Sequence, residues 1–268
     1  NIQDMLVPFI EKAEDFMQTG AGMGFIRVLA FLMNDGSDFL NRFSNDVERI
    51  VRMGIKSPSA SAIYAFVELY TDYDVMIQMS DVIQHLPDET ICDSALLYLA
   101  TKQNFTPTAG LVKALALCYQ RHPLAGKVLC RLGETEEGSL LLIKEPDWLG
   151  GGNVEDTTVL RIILLILVFP SVRNHVFFCP LFFDAIIRLC NSPTRDRMVA
   201  LSTIFRILCE DSQKIIKLTT NGVLSLIIQS MISSQDSDII GSCIIMIDQL
   251  VNIGYSSSYF LFIRNIPY

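Results

Sequence analysis

Residues typical of catalytic and metal sites are scarce in this sequence. It has three histidines and one tryptophan among 268 residues, and it contains no P-loop, no GxSxG elbow and no HExxH motif. Its seven cysteines are an odd number, and no two of them have the two-residue separation that zinc and redox motifs use. The sequence therefore predicts no catalytic residue, no metal site and no cofactor, and we expect a protein that is not an enzyme.

Basic residues are too few for a surface that binds nucleic acid. The chain has 21 lysines and arginines against 29 aspartates and glutamates, which gives a net charge of −8 at pH 7. Proteins that bind DNA or RNA gain most of their affinity from basic residues that neutralise phosphates. The sequence therefore predicts no direct nucleic-acid partner.

Long hydrophobic runs are absent, although half of the residues are apolar and the mean hydropathy is +0.38. The apolar run at 162–169 has eight residues, whereas a helix that spans a bilayer needs about 20. We therefore expect no membrane span and predict packed core helices instead. The cysteines lie singly inside apolar runs, which indicates buried thiols in a cytoplasmic or nuclear protein.

Helical periodicity runs through the whole chain. Apolar residues recur at spacings of three and four, and strict two-residue alternation is almost absent, so the sequence predicts an all-α fold without a sheet. Helix starts are predicted where a capping residue precedes proline, at Ser57 with Pro58 and at Thr106 with Pro107. Proline and glycine recur between the periodic segments, which indicates short helices joined by short loops.

An internal repeat of about 41 residues occupies the second half of the sequence. The apolar positions of 160–187 return 41 residues later in 201–228, and a third unit follows after one additional residue, so that Leu208 matches Leu250. Each unit contains a short first helix, a break, a second helix, a polar loop and a longer third helix. A period of this length is typical of stacked helical arrays.

The break between the first and second helix of each unit is predicted at Cys179 with Pro180 and at Asn221 with Gly222. Proline cannot continue a helix that precedes it, and glycine accepts the positive φ of a tight bend. The two units therefore reach the same geometry with different residues.

The stretch from Asn153 to Asn252 resembles the armadillo repeat family. The glycine bend, second helix and third helix of that family are matched in order by the segment TTNGVLSLIIQSMISSQDSDIIGSCIIMIDQLVNI. The first 150 residues contain less regular helical pairs that are similar to HEAT-type or degenerate armadillo units. The resemblance implies a right-handed α-solenoid of about six armadillo/HEAT-like units.

We predict a single repeat domain over residues 1–268, with less regular units in 1–149, a loop at 150–153 and more regular units in 154–268. The consecutive glycines of this loop make it the best alternative domain boundary. We nevertheless favour one continuous domain, because the apolar helices before and after the loop must bury their surfaces against each other. Because the chain begins with Asn1 rather than methionine, we also expect a fragment of a larger protein. The oligomeric state is left open.

The resemblance also implies a function, because the third helices of armadillo proteins line a groove that holds a partner segment. Nuclear-import members carry a ladder of Asn and Trp on these helices. The aligned Asn positions here read Ile166, Ile207 and Gln249, and the aligned Trp positions read Ile162, Thr203 and Ile245. That ladder is absent, so import-receptor function is not expected.

We therefore expect a non-catalytic scaffold that binds a protein or peptide segment along its groove. The alternative is a regulatory solenoid that inhibits or positions a catalytic region of a larger enzyme or cytoskeletal protein. The candidate partner-binding residues are the polar residues left on the third helices, namely Arg161, Arg206, Asp248 and Asn252.

A second candidate surface is an acidic patch in the first third of the chain. Residues 1–93 contain 15 acidic and 6 basic residues, whereas residues 94–268 contain 14 and 15. Such a patch would bind a basic partner segment, although a solvated exterior that keeps an apolar protein soluble explains the same charges. The patch centres on Asp72, Asp74 and Asp81, with Asp35, Asp38, Asp46 and Glu48 in the same region.

Overall fold

The computed structural model describes residues 2–34, 37–102, 105–150, 156–176, 178–210, 218, 220 and 222–254. All regular structure in these residues is helical, and no strand occurs among them, so the all-α prediction is confirmed. The chain divides into two compact units, Asn1–Thr106 and Pro107–Tyr268. The glycine loop predicted at 150–153 falls inside the second unit, and its residues 151–153 lie outside the described ranges. The single repeat domain stays a prediction.

The first unit contains seven described α-helices and one 3-10 helix. In chain order they are α1 (Ile2–Glu11), α2 (Ala13–Met17), α3 (Gly22–Asn34), α4 (Ser37–Gly54), α5 (Ala60–Leu69), the first 3-10 helix (Thr71–Met76), α6 (Met79–His85) and α7 (Cys92–Thr101). Within this unit α3, α5 and α7 contact one another in succession, while α4 packs against α2, α3 and the first 3-10 helix. The apolar positions of α5 and α7, such as Ile63, Phe66 and Leu96, are buried in its core.

The second unit contains nine described α-helices and a second 3-10 helix. They are α8 (Ala109–Tyr119), α9 (Pro123–Gly133), α10 (Glu136–Lys144), the second 3-10 helix (Pro146–Leu149), α11 (Asp156–Ile166), α12 (Pro170–Val176), α13 (Pro180–Cys190), α14 (Arg195–Leu208), α15 (Val223–Ser233) and α16 (Ser237–Gly254).

Contacts in the second unit follow three rows of helices. One row runs through α9, α11, α14 and α16, each of which contacts the next. Another runs through α8, the second 3-10 helix, α13 and α15, and in the third α10 contacts α12. Successive elements of each row begin 33 to 43 residues apart in the sequence, so segments at that separation are neighbours in space.

Both predicted breaks lie at helix starts. Pro180 is the first residue of α13, and Gly222 precedes α15 with a φ of 77° in the left-handed region. The positive φ predicted for Gly222 is therefore confirmed, and a side chain at this position would be strained. Asn221 lies outside the described residues.

The two helix starts predicted before proline lie too early in the sequence. The Ser57 hydroxyl donates to the Gly54 carbonyl at 2.7 Å and accepts from the Ser59 amide at 3.1 Å, so it closes the turn after α4 and α5 begins only at Ala60. In α8 the N-cap is Thr108, whose side chain accepts from the Leu111 amide at 3.2 Å. In each case the turn chemistry continues past the proline before the helix begins.

Candidate functional site

The structure brings the predicted groove residues onto neighbouring helices of one row. Arg161 lies on α11, Arg206 on α14 and Asp248 on α16, and all three side chains are exposed. These helices contact one another in that order. Asn252 belongs to the last turn of α16, but its side chain lies outside the described part of the structure. Three of the four predicted residues therefore share a row with their side chains in solvent.

Exposed aliphatic side chains accompany these charges. Val199 on α14 is 48% exposed, and Ile244 and Ile245 on α16 are 54% and 50% exposed. Exposed apolar residues rimmed by charges are typical of surfaces that bind other proteins. We call this exposed side of α11, α14 and α16, with Arg161, Val199, Arg206, Ile244, Ile245 and Asp248, the row surface.

The positions aligned with the import-receptor ladder occupy different environments on the three helices. Ile162 and Ile166 are fully buried on α11, whereas Ile245 on α16 is half exposed. Gln249 follows Ile245 by one turn, and its buried Oε1 has no hydrogen-bond donor among the described residues. A buried carbonyl oxygen without a donor is costly, and because this oxygen lies below the surface, a partner on the exposed side of α16 does not reach it.

The acidic patch is divided between surface and interior. Asp72 is exposed, but Asp81 is only 8% exposed and Asp74 forms an ion pair with Lys102, with 2.8 Å between Oδ2 and Nζ. Asp46 lies 3.6 Å from Arg49. Asp35 and the side chain of Asp38 lie outside the described residues. Of the three central residues, only Asp72 projects its carboxylate into solvent.

The inward carboxylates belong to a polar cluster formed by Tyr64, Asp74, Asp81, His85, Tyr98 and Lys102. The Tyr98 hydroxyl donates to Asp74 Oδ1, and Lys102 Nζ lies 2.7 Å from the Tyr98 oxygen. The Tyr64 hydroxyl lies 2.8 Å from His85 Nδ1, and the Tyr64 and Tyr98 rings are 5.2 Å apart. The cluster therefore joins α5, the first 3-10 helix, α6 and α7.

Burial shifts the pKa values of three side chains in this polar cluster. Burial, together with the Asp74 carboxylate that accepts its hydroxyl, raises the pKa of Tyr98, and burial followed by the Asp81 charge raises the pKa of Tyr64. Both hydroxyls are therefore protonated donors at neutral pH. Burial lowers the pKa of His85, against the opposing charges of Asp81 and Asp88.

A cavity of about 390 Å³ opens beside the polar cluster. Its lining comes from the end of α5, the first 3-10 helix and the end of α7, and consists of Val67, Glu68, Thr71, Asp74, Tyr98, Thr101 and Lys102. Asp74 was singled out by charge, but the rest of the lining was missed. No sequence signal joins 67–74 to 98–102, because only the packing of α5 against α7 brings them together.

The seven cysteines are all free and buried, as predicted. Burial raises the pKa of the Cys190 and Cys209 thiols to about 12, so these thiols are protonated at neutral pH and unsuited to nucleophilic attack. Within the described ranges, no group of three His, Cys, Asp or Glu side chains could hold a metal ion.

Membrane-spanning potential is confined to one bent helix pair. In the part of the chain that is described, no single helix combines the length and the apolar character of a span, while Thr157–Ile166 and Pro170–Val176, bent by 120°, meet both criteria only together.

Comparison with family models and with curated proteins assigns no function, so function has to be inferred from the geometry. No family model matches the chain, and no curated protein is significantly similar to it. The all-α fold and the surfaces described above therefore rest on this chain's own residues.

Proposed function

We propose that the protein is a non-catalytic interaction scaffold, built as an armadillo/HEAT-like solenoid of about six units and acting in the cytoplasm or nucleus. Its partner is a protein or peptide segment that lies along the row surface. The observation that carries this proposal is the succession of α11, α14 and α16, whose exposed sides present a charged residue on each helix and aliphatic residues on α14 and α16. A surface that repeats in this way suits an extended segment.

Side-chain contacts about one period apart support the repeat architecture. In the second unit Ser171 donates to Glu136 across 35 residues, Arg173 to Glu210 across 37, and Arg188 to the Leu149 carbonyl across 39. These separations approach the 41-residue period of the sequence. Stacking of helical segments of similar length would produce long-range contacts at separations near one period.

Site-specific photo-cross-linking tests the proposal. A photoreactive phenylalanine analogue replaces Arg161, Val199 or Arg206 in the row surface, and Asn174 on α12 serves as the exposed control outside it. After irradiation in cell extract, we expect the same partner band from the three row positions and not from the control. Equal labelling at Asn174, or a different band at each row position, would contradict the proposed groove.

A further inference from the structure

We propose that the cavity in the first unit is a binding pocket for an arginine side chain of a protein partner. This pocket is separate from the row surface and does not depend on the scaffold function proposed for that surface. The inference rests on the cavity itself, on the fixed floor that the polar cluster gives it, and on the acceptors that remain at its rim.

The floor of the pocket is closed and electrically balanced. Tyr98 is 5% exposed and donates to one Asp74 oxygen, while Lys102 Nζ lies 2.8 Å from the other. Both Asp74 oxygens therefore have donors inside the protein, and the Lys102 charge offsets that of Asp74. Because Lys102 also contacts the Tyr98 oxygen, three groups hold one another in place. At the floor, a ligand therefore contacts a rigid surface without net charge, because Asp74 is already paired with Lys102.

The rim carries the uncompensated charge. Glu68 is exposed in the last turn of α5, and among the described residues no basic side chain pairs with it. The Thr101 hydroxyl donates to the carbonyl of Leu97 at 3.0 Å, so its lone pairs are left to accept. With the exposed Thr71 hydroxyl, the rim offers a carboxylate and two hydroxyl oxygens around an opening walled by Val67 and Tyr98.

This set of groups matches a guanidinium better than an anion or a neutral ligand. Guanidinium has five N–H donors and no acceptor, so it complements a rim of acceptors, and its planar face packs on apolar and aromatic walls. An anion would face the Glu68 carboxylate at the rim, which has no basic partner among the described residues. The volume of about 390 Å³ lies toward the small end of ligand sites, as expected for one side chain rather than a cofactor.

The charge of the unit favours the same ligand. Residues 1–106 contain 15 acidic and 7 basic residues, so the unit as a whole attracts a cation. Asp72 is exposed on the same 3-10 helix that contributes Thr71 to the rim. An approaching basic segment therefore meets negative potential before its side chain reaches the pocket.

The test uses the full chain and three probes: Nα-acetyl-arginine methylamide, the corresponding citrulline compound, which has nearly the same shape without the charge, and free arginine. Binding is followed by NMR titration of the Thr71 and Thr101 amides. We expect saturable shifts with blocked arginine and binding weaker by about fivefold for citrulline, the upper range for an exposed ion pair. Free arginine should bind no more tightly than the blocked form, because Lys102 in the lining is already paired with Asp74 and leaves the α-carboxylate without a cationic partner.

Two variants with the same charge change complete the design. Glu68→Gln should weaken the arginine compound by about the same fivefold and leave citrulline unchanged, whereas Glu11→Gln, an exposed position outside the pocket, should alter neither. Equal affinity for arginine and citrulline, equal effects of the two variants, or the absence of saturable shifts would overturn the pocket. If free arginine binds more tightly than Nα-acetyl-arginine methylamide, the ligand is the free amino acid and the assignment to a protein partner is overturned. None of these outcomes affects cross-linking at the row surface, so the two proposals fail separately.

Discussion

The two units of the chain satisfy their interior polar groups in different ways. In the second unit the buried Ser139 and Trp148 bond within their own segment, Ser139 to the Gly133 carbonyl at 3.0 Å and Trp148 to the Leu142 carbonyl at 2.8 Å. In the first unit Tyr98 bonds to Asp74 and Tyr64 to His85, across 24 and 21 residues. The bonds of Ser139 and Trp148 are local, whereas the polar cluster of the first unit joins separate helices.

This difference affects how strongly the arrangement of the helices is fixed. Side chains that bond within their own segment need no polar partner on neighbouring helices. A polar cluster that joins four elements fixes one particular arrangement, because every member depends on its partners. The net charge follows the same division: residues 1–106 carry the entire −8, whereas residues 107–268 contain 14 acidic and 14 basic residues.

The largest expected effect concerns the polar cluster. Asp74→Ala should lower the free energy of unfolding by about 3 kcal/mol, because it leaves the Lys102 charge and the Tyr98 hydroxyl partly buried without their acceptor. Urea unfolding followed by circular dichroism measures the change. The exposed neighbour Asp72→Ala is the control, with an expected change within about 0.5 kcal/mol. The double variant Asp74→Ala with Lys102→Met should recover part of the lost stability. Equal losses of stability for Asp74→Ala and the control Asp72→Ala would refute a structural role for the Asp74–Lys102 pair.

The next effect tests the bend at Gly222 that precedes α15. Gly222→Val should destabilise the protein by about 2 kcal/mol, because a β-branched residue is strained at a φ of 77°. Gly222→Asn should cost less, since asparagine tolerates this conformation. Gly241→Ala lies inside α16 with no atom within 4 Å of the added Cβ, and it should stabilise by about 0.5 kcal/mol. Thermal unfolding of the three variants measures these effects as changes in melting temperature. Equal changes for Gly222→Val and Gly222→Asn would contradict a need for positive φ at this position.

A third prediction separates the row surface from the acidic surface of the first unit. Arg161→Glu with Arg206→Glu should weaken the partner found by cross-linking about tenfold, which is about 1.4 kcal/mol, whereas Asp72→Lys should leave that affinity unchanged. Asp74 and Asp81 are left intact, because one is ion-paired and the other buried, so reversing their charge would disturb the fold itself. Titration by calorimetry gives the affinities. A loss with Asp72→Lys alone would assign the partner to the first unit.

The smallest effect is a dependence of stability on pH. Burial lowers the pKa of His85 in the folded protein, so between that value and its unfolded pKa of 6.5 the unfolded chain binds more protons. Stability contributed by the neutral ring is therefore complete above pH 6.5 and is lost as the pH falls through the folded pKa. Urea unfolding between pH 5 and 7.5 measures the slope, and His85→Gln should flatten it. An unchanged slope in the variant would refute His85 as the source of the pH dependence.

Several features of the chain could be predicted because they depend on local spacing. The all-α fold, the break at Pro180 and the positive φ of Gly222 follow from residues within one turn of each other. Burial of the seven cysteines follows from their apolar neighbours in sequence. Helix starts near Ser57 and Thr106 were less accurate, since several serines and threonines compete to cap each turn.

The sequence by itself determined the helices, the second-half period of apolar positions and the excess of negative charge, because spacing and composition can be counted along the chain without knowing how it packs. Only the tertiary structure decided which charges reach solvent. Asp72, Asp74 and Asp81 look alike in sequence, yet one is exposed, one is paired with Lys102 and one is buried. The pairing depends on α5, the first 3-10 helix and α7 meeting in space, and the cost of leaving a buried charge without a partner then fixes where each carboxylate lies.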